Sequence, residues 1–383
     1  MKKNFGWRGA LVLFCLSSGG CLSPHPTCLF FVGSNSDKAG LRVLDLDAHT
    51  GTIRQVSQVD EAINPLYLVA SSDGKYLYAA QRVSPDTRGY VGGVAVYACQ
   101  NHKLRKLAEY ACTPSIPCHL SLSPDGHKLA FAEYEQSRVG FFTVRPDGLL
   151  DGPVAQIQQK GQGPNPRRQE AAHAHCAVFT PDATRLCVCD LGLDHVFVYD
   201  AASQNETLHE VKNASFQSAP GAGPRHLIFH PTAKLAFLIN ELDSTVVSLR
   251  FDDQGALMPI ETYSLLPDHY SGQTTAAAIK ISPDGHWLLA SNRGFDSLVS
   301  FAINQTNGRL SNRTINKLNG PHPRDFAFSP EGRFIVVGHM LANEVAVYRF
   351  NDQTGQIEQT ANSLSIPKPL CFVFAKPSGD IIP

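Results

Sequence analysis

A Ser-Pro-Asp-Gly turn, or a close variant of it, followed by an apolar strand recurs along this 383-residue chain. Aligning its third residue gives Asp73, Asp125, Asp182, Thr232, Asp284, Glu331 and Ser378, at spacings of 52, 57, 50, 52, 47 and 47 residues. Repeats of about 40 to 50 residues made of strands alone are the mark of propeller blades, each a four-stranded sheet that cannot bury its faces without neighbours. A closed ring satisfies every blade at once, so a length that would ordinarily suggest two or three domains predicts one.

The blade is clearest around Thr232. Arg225 to His230 reads as one strand, Leu235 to Glu241 as its return, and Thr245 to Phe251 and Pro259 to Leu265 complete the sheet. The seventh repeat runs out of chain after Pro369 to Phe374 and the turn at Ser378. Leu29 to Ser34 and Gly40 to Leu46 match the strands that should follow it, so the N-terminal strands are predicted to complete the C-terminal blade and leave no open edge. The expectation is an all-β, seven-bladed β-propeller over residues 28–383, closed by N- and C-terminal strands that share one blade. Thirty glycines, 25 prolines and a charged fraction of only 17% suit short buried strands joined by tight turns.

A formal net charge of -1 offers no global field for nucleic acid or an anionic membrane. The ten cysteines follow no CxxC or Cys/His metal spacing, and Cys187 and Cys189 alternate within one strand, so they read as small core hydrophobes. No metal or other cofactor is expected. At the N-terminus, Lys2, Lys3 and Arg8 precede an apolar run from Ala10 to Leu16, then Ser17 to Gly20 and Cys21. Residues 1–27 therefore resemble a signal segment, with Cys21 a candidate lipid anchor although Ser18 stands where a lipoprotein signal normally has an aliphatic residue. Export or anchoring is the favoured reading; a cytoplasmic protein with an over-extended start, beginning near Thr27, is the alternative. A monomer is expected.

In each hairpin, the residue seven before the aligned position and the one nine after it should lie side by side at one rim. Before the turn these are Leu66, Cys118, His175, Arg225, Ala277 and Arg324; after it they are Arg82, Tyr134, Leu191, Glu241, Arg293 and Met340. Four arginines and a histidine then surround a single carboxylate, which predicts a positive mouth suited to a small anion held by bidentate guanidinium contacts. Glu241 beside Arg225 is either a salt bridge or, beside the anion clamp, the base or the group that orients a base.

Several stretches carry a family resemblance: Gln169-Glu170-Ala171-Ala172-His173-Ala174-His175, Asp190-Leu191-Gly192-Leu193-Asp194, Gly221-Ala222-Gly223-Pro224-Arg225-His226, Asn240-Glu241-Leu242-Asp243-Ser244 and Ser291-Asn292-Arg293-Gly294. In these the chain, from about Leu29 onward, resembles the propeller lactonases, a family that includes 6-phosphogluconolactonase and the carboxy-muconate lactonizing enzyme. The resemblance implies a catalytic set of His175, Arg225, Glu241 and Arg293. Arg82 and Arg324 are candidate outer anion contacts, and His173 a structural or supporting one. Ala172, Ala278 and Lys280 depart from the family pattern, the last two being placed beside Arg293, where they would bear on substrate identity.

The expected function is hydrolysis of a small anionic sugar lactone, 6-phosphogluconolactone first. The alternatives are a carboxy-muconate cycloisomerase and a non-catalytic surface-binding propeller. With no Gly-x-Ser-x-Gly element and no metal-ligand spacing, direct attack by water is favoured. Glu241 or His175 would take the proton, Arg225 would stabilise the oxyanion, and Arg293 with Arg82 or Arg324 would hold the substrate's anionic group.

Overall fold

The computed structural model describes residues 26–38, 40–84, 89–202 and 207–375. Cys21, most of the signal-like segment and the turn at Ser378 lie outside the described residues. Seven antiparallel sheets form the ring. Numbered in chain order, blades one to six have the inner strands Ile63–Ala70, His119–Leu122, Ala174–Phe179, Pro224–Phe229, Thr275–Ile281 and Pro323–Phe328. Blade seven joins the two ends of the chain. Its inner strand Pro369–Phe374 pairs with Thr27–Ser34, and Leu41–Asp47 and Ile53–Val59 follow outward.

The repeated turn explains its own sequence. In the first repeat the Asp73 carboxylate accepts from the Ser71 hydroxyl at 2.6 Å and from the Lys75 N–H at 3.0 Å, while Ser71 Oγ accepts from the Tyr76 N–H at 2.9 Å. Side-chain oxygens thus satisfy the donors that a tight turn leaves unpaired. Asp125 repeats the arrangement with Ser123 and His127. The core lies between blades rather than inside them: Phe237 and Ile239 of blade four pack with Leu288, Ala290 and Phe301 of blade five. Buried apolar clusters of this kind fill the interfaces between neighbouring blades, so each blade relies on its neighbours to cover its faces.

The register departs from the side-by-side pairing expected at the rim. In blade three Ala174 pairs with Asp190 and Cys176 with Cys189, so His175 is left out of the ladder. Blade four skips Arg225 and blade six skips Arg324 in the same way. Each is a β-bulge, one extra residue on the inner strand that breaks the alternation and re-aims its side chain. Glu241 consequently bonds through its N–H to the Gly223 carbonyl, at 2.7 Å, and not opposite Arg225.

Candidate active site

The bulges open onto a cavity of about 1060 Å³ at one end of the ring. His175, Glu241, Arg293 and Arg324 line it, with Arg82 at its exposed edge. Repeat phase therefore brings these five together.

Glu241 is the hub. Its Oε2 accepts from Arg225 Nε at 2.9 Å and forms an ion pair with Arg293 Nη2 at 3.1 Å, and its Oε1 accepts from Arg168 Nη2 at 2.6 Å. Burial opposes its charge, yet the guanidiniums of Arg293, Arg225 and Arg168 together hold its carboxyl well below the usual carboxylate range. Arg225 lies beneath it, 3% exposed, with Nη1 donating to the Ala277 carbonyl at 2.6 Å and resting against the His226 ring. It is not part of the cavity wall. Arg293 is, and its Nη2 also donates to the Ala276 carbonyl at 2.9 Å; burial pulls its pKa down to about 10 despite Glu241.

His175 is buried apart from the part of its ring that lines the cavity, and burial followed by the neighbouring Arg225 drives its pKa well below the ordinary histidine value. The imidazole is neutral at physiological pH. Tyr134 meets its ring edge-on at 5.7 Å. Arg324 differs from the other guanidiniums. Burial and Arg225 lower its pKa, and among the described residues no hydrogen bond or ion pair holds it. His173 lies off the cavity wall: Nδ1 is 3.0 Å from the Tyr134 carbonyl, Nε2 is 3.2 Å from Glu170, and its ring stacks on Tyr134 at 4.3 Å.

Two lining residues with basic side chains escaped the repeat phase. Arg168 comes from the irregular segment before blade three, which buried Gln169 pins by donating to Asp194 Oδ1 at 2.7 Å and to the Leu191 carbonyl at 2.9 Å. The only sequence signal for Arg168 was its place next to the Gln169–His175 stretch. His322 precedes the inner strand of blade six; burial, Arg293 and Arg324 lower its pKa to about 4.

The separate motifs are tied together underneath. Asp194 accepts from Gln169 and from the N–H groups of Gly221, at 2.6 Å, and Gly223, at 2.8 Å. Asp190 accepts from the His173 N–H and from the Ser137 hydroxyl, whose Oγ in turn receives the Ala174 N–H. Two buried carboxylates thus fix the three segments that present Arg168, His175 and Arg225.

The departures in blade five do not reach the cavity. Ala278 is fully buried against blade six, and Lys280 lines a separate cavity of about 320 Å³ farther along the axis, pairing with Asp325 at 3.4 Å. Neither side chain lines the cavity beside Arg293. Among the described residues no group of three His, Cys, Asp or Glu side chains is placed to hold a metal ion.

The sequence profile of the lactonase, seven-bladed β-propeller family matches residues 29–374. The chain belongs to that family. It is 30% identical to the 6-phosphogluconolactonase of Bacillus subtilis, over 88% of this chain and 94% of the relative. It is 32% identical to that of Formosa agariphila, over 88% and 96%. The solved structure of the Pseudomonas aeruginosa periplasmic gluconolactonase superposes with a TM-score of 0.84 at 30% identity, covering 92% of this chain and 99% of that one. These lactonase relatives are named as lactone hydrolases, and the match spans the whole ring.

Proposed function

We propose that the protein hydrolyses a small anionic sugar lactone, 6-phosphogluconolactone being the leading substrate, by direct attack of water. The observation that carries this reading is the charge arrangement: Arg168, Arg225 and Arg293 share one carboxylate, while Arg324 faces the cavity untethered among the described residues. The site thus holds unspent positive charge in two places, one for an oxyanion and one for a permanent anion.

In this mechanism water adds to the lactone carbonyl as neutral His175 takes its proton; the ring C–O bond then breaks and His175 returns the proton to the alkoxide. Glu241, already saturated by three guanidiniums, is a poor base. Its work is to hold Arg293 and Arg168 in place, with Arg225 acting through it. Arg293 meets the oxyanion, a contact that strengthens as charge develops on the carbonyl oxygen. Arg324, with Arg82 outside it, holds the phosphate.

The name of the P. aeruginosa relative supports a second reading, gluconolactone without the phosphate. Both are tested by titrating the acid released when full-length protein acts on each lactone, against the spontaneous rate. Acceleration of 6-phosphogluconolactone, with selectivity over gluconolactone that falls about tenfold or more in Arg324→Gln, is expected. Faster turnover of gluconolactone would favour the second reading. No acceleration of either would return the cycloisomerase and binding-propeller alternatives.

A further inference from the structure

One side of the cavity is mostly apolar, its one guanidinium being Arg82, which pairs opposite Gly92 at the exposed edge. Leu66, Val91, Pro114 and Ile116, from blades one and two, form it, and Tyr90 stands beside them with 61% of its surface exposed. The division is visible in the repeat phase, where the first two blades place Leu66 and Cys118 at the positions that hold His175, Arg225 and Arg324 in blades three, four and six. The apolar side is also preformed. The Gly92 N–H donates to the Pro114 carbonyl at 3.3 Å, and a Cβ at Gly92 would collide with the Ser115 carbonyl, so these two segments close only on glycine. Ser115 and Glu135 set polar groups at its edges.

The cationic side alone can serve the reacting carbonyl and one anion, yet about 1060 Å³ lies at the upper end of the volumes that enclose drug-sized ligands. We propose that the apolar side is a second sugar subsite, so that the protein accepts a lactone whose ring carries a glycosidic substituent, a disaccharide lactone. This rests on the lactone-hydrolase reading. A pyranose offers an apolar C–H face and a rim of hydroxyls. Tyr90 and Ile116 meet the face, and Ser115 and Glu135 meet the rim. An alkyl substituent would leave those two polar groups unused.

The test compares kcat/KM for cellobiono-δ-lactone and glucono-δ-lactone in the full-length protein and its Tyr90→Ala and Ile116→Ala variants, alongside calorimetric titration with cellobionate and gluconate. The disaccharide lactone should be hydrolysed at least as efficiently as gluconolactone. Its advantage should fall about fivefold in Tyr90→Ala, chiefly through KM, and cellobionate should bind more tightly than gluconate. Exclusion of the disaccharide by a protein that hydrolyses gluconolactone would overturn the proposal, as would an unchanged ratio in both variants or a preference for an alkyl-substituted lactone. Failure to hydrolyse either lactone, with 6-phosphogluconolactone also left at its spontaneous rate, would sink the lactone-hydrolase reading itself. The titration would still decide the subsite, which is overturned if cellobionate binds no better than gluconate.

Discussion

At the scale of residues, the account turns on Glu241 and His175. Glu241→Gln removes the charge shared by three guanidiniums and leaves Arg225 buried beside a neutral amide. Breaking a buried ion pair costs about 3 kcal/mol or more, so the denaturant midpoint should drop as well as the activity. For His175, burial and Arg225 lower the pKa, so the neutral form persists to pH values below the ordinary histidine range. The kcat/KM profile should therefore stay flat through about pH 6.5 and fall only at lower pH; an acid limb centred at or above 6.5 would contradict the role given to it. His175, Glu241, Arg293 and Arg324 were legible because a repeat with a known phase converts sequence position into height on the ring. Arg168 and His322 were not, because each precedes an inner strand, in chain that has no phase. Nor did the phase distinguish Arg225, which supports the wall from beneath, from Arg293, which forms it.

At the scale of elements, the strands and turns could be read closely, whereas the bulges could not. Thr245–Phe251 and Pro369–Phe374 fall where alternation and turn residues place them. A bulge leaves no composition signal; it follows from closing the inner strand against the axis, and it is what aims His175 and Arg324 into the cavity. The segments between blades are held as firmly as the strands. At Gly192 a Cβ would collide with the Ala171 carbonyl, in the segment that carries Arg168. Gly192→Ala should shift that segment, destabilising the protein by about 2 kcal/mol and raising KM; thermal unfolding and steady-state kinetics check the two effects together.

For the whole molecule, ring closure makes stability depend on the chain ends. Phe372 packs with Phe30, Val32 and Val336 across blades seven and six, and Cys371 packs with Leu68 and Leu77 of blade one, so the last inner strand seals two interfaces at once. A chain ending at Pro367 lacks that strand and should lose cooperative unfolding at the parent temperature, seen by calorimetry, instead of merely fraying at one edge. The same closure accounts for function: residues from six blades meet in one cavity, although no blade carries a complete site. The global charge of -1 hides this local concentration of arginine. The most direct measurement of the central claim is the rate of acid release from 6-phosphogluconolactone, above the spontaneous background, for the full-length protein and Glu241→Gln. The account predicts clear acceleration by the parent and a loss of about 100-fold or more in the variant; a parent no faster than background, or a variant as fast as the parent, would contradict it.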